Sequence, residues 1–575
     1  MTPLQQAKYT ERPLERIVRP ERLLAAAAIA IAGLVLIPVL TIVVLALTPA
    51  PGVWTHLLGT VLPFAVQQTV LLLTGVGFIT LVIGTGTAWL VTMYDFPGRR
   101  LFDVLLVLPL ALPTYISAYC YGAFLDFTGP PQTALRALFG FTRYQDYWFP
   151  NVRTLGGAIF IMSTVLYPYV YLAARASFLQ QSHNLLEVAR TLGRSGLGAF
   201  IAVGLPMARP ALAAGVSLAL MECLNDIGAV EYLGVQTLTA SIYAAWLQRS
   251  SLAGAAQIAL VLFLFVVTLV LVERSARQKR RFDNASRQRL HSEQSLSPAM
   301  GWLAAAACAL PVLIGFAVPV GVLLQGALQY GPAASWADYA SAAATSFSLA
   351  LVVAVLVVAL AVTVGAALRL TGGLPVTAAA RLAALGYAIP GTVVALGVII
   401  PLAALDNAVS SAVDAHWGFK TGLLLSGTAF ALVLAYAIRF LAVGLGPVEA
   451  GWQRLSPHLD AVARTLGAGP FKLLAAVHLP LLRPALGAAG LLVFVDTMKE
   501  LSATLLLRPF DFETLATQIY VFASQEQFER SAIPALIIVA VGMVPLLLLN
   551  RTMRRGAAAC LLYSVSATPD SAGGV

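Results

Sequence analysis

The chain has 575 residues, 59 % of them hydrophobic and only 11 % charged, with a net charge of +10 and a mean hydropathy of +0.83. Soluble domains carry about 25 % charged residues, so a string of water-exposed domains is excluded and lipid must be the solvent for much of the surface. The positive charge is spread between long apolar runs, with no basic patch carrying interleaved aromatics, which argues against nucleic acid as a partner.

The N-terminus opens with Lys8, Arg12, Arg16, Arg19 and Arg22, followed by an apolar stretch to about Leu47. That stretch is too long for a signal-peptide core and reads as an uncleaved first transmembrane helix. Further spans are expected at 63–93, 102–125, 154–174, 206–226 and 254–272, then at 302–325, 347–369, 383–404, 423–444, 483–506 and 531–550. The expected fold class is therefore an all-α polytopic membrane protein of about twelve transmembrane helices.

Charge asymmetry supports the count. With a cytoplasmic N-terminus, the inner loops hold Arg99 and Arg100, then Arg175, Arg190 and Arg194, then a linker rich in Arg and Lys. Arg369, Arg381, Arg454, Arg464, Lys472, Arg551, Arg554 and Arg555 follow on the same side, and the outer loops are poor in such residues. One missed span would invert every later loop, so both termini are expected inside. The organisation read from the chain is a first half at 1–273, a cytoplasmic linker at 274–300, a second half at 301–555 and a flexible tail at 556–575.

The halves are copies. Glu187–Leu212 (EVARTLGRSGLGAFIAVGLPMARPAL) and Ala461–Leu486 (AVARTLGAGPFKLLAAVHLPLLRPAL) align without gaps at an offset of 274 (467 − 193), with 14 of 26 positions identical. Arg, Thr, Gly and Pro in register mark a duplication. Each copy falls in an inner loop between the fourth and fifth spans of its half. Val-Ala-Arg-Thr-Leu-Gly reads as a short amphipathic helix stopped by its Gly, after which an apolar run enters the membrane at Leu-Pro. A short interfacial helix presented twice suits docking to a two-fold partner.

This pattern resembles the EAA loop of binding-protein-dependent ABC importer permeases: Glu-Ala-Ala, three residues, Gly, nine residues, then Ile-x-Leu-Pro. The first loop (187–206) matches at Glu187, Ala189, Gly193, Val203, Leu205 and Pro206, with Val188 at the second position. The second (460–480) matches at Ala463, Gly467, Val477, Leu479 and Pro480, but Ala461 stands at the acidic position and Asp460 is displaced by one. Glu222–Trp246 further resembles the iron(III) permeases, which also fuse two six-helix halves; thiamine and related permeases share that design. The resemblance implies two cytoplasmic ATPase subunits in contact with these loops, a periplasmic solute-binding protein, and location in a bacterial inner membrane. It also implies that ATP and Mg are used by the partner ATPases, with no cofactor held by this chain.

Ionisable residues inside spans are functional candidates because lipid exposure costs a few kcal/mol or more. Glu222, Asn225 and Asp226 in the fifth span match Asp496, Lys499 and Glu500 in the eleventh at the same offset of 274. Counting along the fifth helix from Pro206 puts Glu222 and Asp226 near its outer end. Two readings stay open: these groups line the outer part of a cation pathway, or they form an inter-helix salt-bridge cluster that holds a gate closed.

No Gly-x-x-x-x-Gly-Lys-[Ser/Thr] occurs; Gly418-Phe-Lys420-Thr421 lacks the first Gly. Cys120, Cys223, Cys308 and Cys560 are far apart, and the six His form no ligand pattern, so neither a metal centre nor a catalytic constellation is expected. The function expected is that of a transport subunit, not an enzyme. The alternative from another class is a twelve-helix secondary transporter, which has no reason to keep duplicated EAA loops.

Overall fold

In the computed structural model, residues 20–48, 53–181, 189, 191–278, 294–331 and 335–565 are described. Glu187, the linker residues 279–293 and the tail residues 566–575 lie outside them. In chain order the principal helices are α1 (Pro20–Leu47), α2 (Val61–Met93), α3 (Arg99–Leu105), α4 (Thr114–Phe124), α5 (Leu155–Gln180), α6 (Leu205–Asn225), α7 (Ile227–Tyr232) and α8 (Leu252–Gln278). After the linker come α9 (Pro298–Tyr330), α10 (Trp336–Leu370), α11 (Gly391–Trp417), α12 (Ala429–Arg454), α13 (Pro457–Thr465), α14 (Leu479–Met498), α15 (Ser502–Leu507), α16 (Leu515–Ser524) and α17 (Phe528–Val565). Among the described residues, 11 helices are long and apolar enough to cross a membrane, or 12 if a bent pair is counted as one span. The fold is all-α and polytopic.

The duplication is carried into three dimensions. Residues 155 and 180 bound α5 and residues 429 and 454 bound α12, an offset of 274 at both ends. Thr154 and Thr428 each cap the start of their helix with the side-chain oxygen. In the first half α5 packs against α2 and α6, and in the second α12 packs against α10 and α14. Two buried hydroxyls repeat one further device: Thr69 in α2 accepts from the Leu238 amide at 3.0 Å, and Ser346 in α10 from the Leu515 amide at 2.7 Å.

The halves are knitted by exchange. The first helix of each lies on the other: α1 packs on α11, and α9 packs on α4. Contact is close where α1 crosses α11, since a Cβ on Gly397 would stand 2.5 Å from the Cα of Pro38. Only glycine allows that approach.

Four expectations need correction. The span expected at 102–125 is a broken pair, Arg99–Ala111 and Thr114–Phe124, bent by 92°; Pro109 and Pro113 remove two amide donors and one of them blocks the helical geometry of its predecessor. The span expected at 383–404 is displaced to Gly391–Trp417, again beginning after a proline, Pro390. The span expected at 483–506 stops at Met498 and restarts at Ser502. Finally, α17 runs to Val565, so residues 556–565, read as flexible tail, continue an Ala- and Leu-rich helix.

Candidate functional site

The two duplicated segments are built the same way at their glycine turns. Gly193 and Gly467 adopt left-handed backbone, φ 81° and 78°, which a β-carbon disfavours and glycine does not. The following amide then reaches back over the turn: Arg194 N donates to Ala189 O at 3.1 Å, and Ala468 N to Ala463 O at 3.0 Å. Satisfying the end carbonyls in this way terminates the helix. Ala189 and Ala463 are buried under it. A wide π-turn follows in both copies, Phe200–Gly204 and Leu474–His478, and leads into the span at Leu205-Pro206 and Leu479-Pro480.

What these segments present outward is apolar. Leu192 is 77 % exposed and its counterpart Leu466 80 %; Leu197 and its counterpart Phe471 are also exposed. Equivalent hydrophobes are thus exposed at matching positions of the two copies. Glu187 lies outside the described residues. Asp460 is held inward: its carboxylate accepts from Arg369 Nε at 2.8 Å, and His478 Nε2 lies 2.9 Å away. Partial burial would raise this carboxyl, but the hydrogen bonds from Arg369 and His478 outweigh it and hold it below the usual range. Ala461, at the acidic position of the pattern, is left without a charge to offer a partner.

The six intramembrane candidates come together. Glu222, Asn225, Asp226, Asp496, Lys499 and Glu500 all line one cavity of about 70 Å³ where the halves meet, enough for a few water molecules. The cavity also touches Val165, Leu166 and Tyr169, near the middle of α5. It therefore sits beside the middle of α5 and at the end of α6, where Asn225 closes that helix.

The acids have a local duty that explains their spacing. Where α6 gives way to α7, Asp226 accepts from the Ala229 amide at 2.9 Å and from the hydroxyl of Thr114. Where α14 gives way to α15, Glu500 accepts from the Ala503 amide at 3.1 Å and the Thr504 amide at 3.3 Å. A helix restarting inside an apolar layer exposes amides that water cannot satisfy, and a carboxylate at that position caps them and favours the helix dipole.

The remaining charges are paired. Lys499 Nζ stands 2.9 Å from Asp496. Glu500 pairs with Arg439, both side chains being buried. Glu222 accepts from the hydroxyl of Tyr387. Arg439 and Tyr387 are absent from the sequence-based candidates. Arg439 was open to discovery there, since an arginine inside the apolar stretch 423–444 needs a partner; its first-half counterpart is Val165, so the repeat gave no cue. Tyr387 carries no signal in sequence. The groups thus line one cavity and are tied to one another or to neighbours there.

The comparisons follow this geometry. Residues 80–281 match the family described as binding-protein-dependent transport system inner membrane component. The chain is 27 % identical over 492 residues to an Fe(3+)-transport system permease protein, FbpB 2, of Haemophilus influenzae, covering 84 % of this chain and 89 % of that one. It is 31 % identical over 157 residues to the sulfate transport system permease protein CysT of Escherichia coli, covering 26 % of this chain and 52 % of that one. It is 25 % identical over 178 residues to the molybdate/tungstate transport system permease protein WtpB of Thermococcus kodakarensis, covering 31 % and 63 %. Residues 80–281 thus match the inner membrane components of binding-protein-dependent transport systems, and most of the chain is similar to a permease of such a system, in keeping with its multi-pass fold.

Proposed function

We propose that the chain is the permease of an ATP-driven importer whose solute is ferric iron, handed over by a periplasmic binding protein. The observation that carries the choice of solute is the charge of the central cavity. Four carboxylates (Glu222, Asp226, Asp496 and Glu500) face two cations (Arg439 and Lys499), leaving two formal negative charges in excess. Such a lining attracts a cation and repels sulfate or molybdate, the solutes named for the shorter relatives. Likeness along most of the chain to an Fe(3+) permease supports the same solute.

In this reading the segments around Ala189–Ala199 and Pro457–Leu473 rest on two cytoplasmic ATPase subunits, and both termini face the cytoplasm. ATP and Mg act at those subunits. Closure of the ATPase pair pulls on the two segments; the break points at Asp226 and Glu500 are where the helices yield, parting the ion pairs and opening the cavity to the outer side. Hydrolysis then restores the inward-facing state. The test is radiolabelled iron(III) uptake by cells carrying the whole system. Loss of uptake on deleting the chain, and its return with the wild type, supports the reading. Uptake that is unaffected by the deletion, or that follows sulfate or molybdate instead, overturns it.

A further inference from the structure

A second polar cavity, of about 230 Å³, opens between the middle of α4, the residues just before α5, α7, and α16 with the turn after it. It lies at the opposite end of α5 from the first duplicated segment: Arg153, two residues before the helix starts, lines this cavity, whereas Gln181, just past its end, donates to Gly204 O at 3.1 Å. That helix has 26 residues, about 39 Å at about 1.5 Å per residue. The central cavity sits between the two.

Its lining is a set of oxygen donors: Tyr119, Tyr232, Tyr520, Glu231 and Glu526, with Arg153. Tyr520 donates to Glu231 at 2.6 Å, and Arg153 holds Glu526 at 3.4 Å. Tyr119 is 2 % exposed, its ring meets that of Tyr232 edge-on at 4.7 Å, and its buried hydroxyl has no hydrogen-bond partner among the described residues. A buried hydroxyl without a partner costs about 1–3 kcal/mol, so its place at a cavity wall calls for a ligand that supplies one. One turn earlier on α4 is Tyr115, with ring centroids 5.9 Å apart. Its hydroxyl is likewise unpartnered, and it lines the central cavity. The two tyrosines form a step from the outer cavity to the central one.

We propose that the outer cavity is a binding site for a hard, highly charged cation, with Tyr119 and Glu231 as ligands and Tyr232 and Tyr520 as further oxygen donors. This rests on the reading of ferric iron as the solute. Carboxylate and phenolate oxygens suit such an ion, whereas soft sulfur ligands are absent from the wall. Binding is ligand exchange without redox change. The Tyr119 O–H bond breaks as its oxygen replaces a water or chelator oxygen on iron, which is released; the proton leaves to water, and iron stays iron(III). The site then serves as the station where the ion waits before the Tyr119–Tyr115 step opens.

The full chain, purified in lipid nanodiscs, is titrated with iron(III) nitrilotriacetate while the visible tyrosinate-to-iron charge-transfer band is followed. A saturable band is expected in the wild type, weakened about tenfold or more in affinity in Tyr119→Phe and in Glu231→Gln. Tyr119→Phe removes only an unpartnered hydroxyl and keeps the wild-type melting temperature, which separates loss of binding from loss of fold. No band in the wild type, or a band unchanged in both variants, overturns the site. If cells with the wild-type system still take up iron in that case, the site alone has failed; if they take up none, the solute reading has failed with it.

Discussion

Ser502, the first residue of α15, donates its hydroxyl to the backbone carbonyl of Asn225, the last residue of α6, at 2.6 Å. The two belong to different halves, and each stands where a helix is interrupted inside the apolar layer. Asn225 also accepts from the Gly391 amide at 2.7 Å through its side chain. Helix ends from both copies therefore satisfy one another across the pseudo-two-fold junction, directly beside the charged cavity.

Gly391 is a close-packed point of that junction. A Cβ there would lie 2.7 Å from Arg439 Nη1 and 2.9 Å from Glu500 Oε1, so Gly391→Val must push the buried pair apart. Removing one partner of such a pair costs about 3–5 kcal/mol. Arg439→Met is expected to lower the melting temperature sharply by leaving Glu500 uncompensated, and Gly391→Val to do the same. The double change Arg439→Met with Glu500→Gln recovers much of the loss. A single Arg439→Met with an unchanged melting curve rules out a stabilising role for the pair.

The proposed ATPase contact at Leu192 and Leu466 gives an independent prediction. Leu192→Asp and Leu466→Asp place a charge on exposed side chains that touch little of the chain itself, so membrane insertion and stability are retained within about 0.5 kcal/mol. Co-purification of an ATPase subunit is expected to fall with each and to vanish with both. Gly193→Val and Gly467→Val act differently, straining left-handed backbone by about 1–2 kcal/mol each and disordering the helix stop. Full transport in both valine variants argues against a coupling role for these turns.

Asp460 predicts a pH dependence confined to acid. Its carboxyl is held below the usual range by Arg369 and His478, so the charged form binds better in the folded chain. The stabilisation is complete above the unfolded value, about pH 4, and disappears as pH falls through the lower folded value. The hydrogen-exchange protection factors of residues 457–478, corrected for the intrinsic pH dependence of amide exchange, should be flat from neutrality to about pH 4 and fall only below it. Asp460→Asn should show the faster exchange at every pH; protection equal to the wild type at pH 7 removes Asp460 as the anchor of α13.

Much of this was legible in sequence, for identifiable reasons. The glycines at 193 and 467 and the Leu-Pro pairs announce local events, a helix stop and a membrane entry, and local events need no distant partner. The match of Glu222, Asn225 and Asp226 with Asp496, Lys499 and Glu500 followed from the repeat alone. The breaks at Asp226 and Glu500 were not legible, because the flanking residues are apolar enough to read as one span and the capping acids looked only like buried charges. The pairing of Arg439 with Glu500 joins residues 61 apart in the chain, and the link from Tyr387 to Glu222 crosses from one half to the other; neither leaves a periodic trace.

One measurement bears most directly on the central claim. The chain is purified with whatever binds it, reconstituted in proteoliposomes, and ATP hydrolysis is followed as binding protein loaded with iron(III), sulfate or molybdate is added. The expected result is a stoichiometric ATPase subunit whose hydrolysis rises with the iron-loaded protein alone, with Glu222→Gln and Asp496→Asn reducing iron accumulation. A chain that purifies without an ATPase and moves solute without ATP, or hydrolysis that rises with an oxyanion-loaded protein instead, would contradict it.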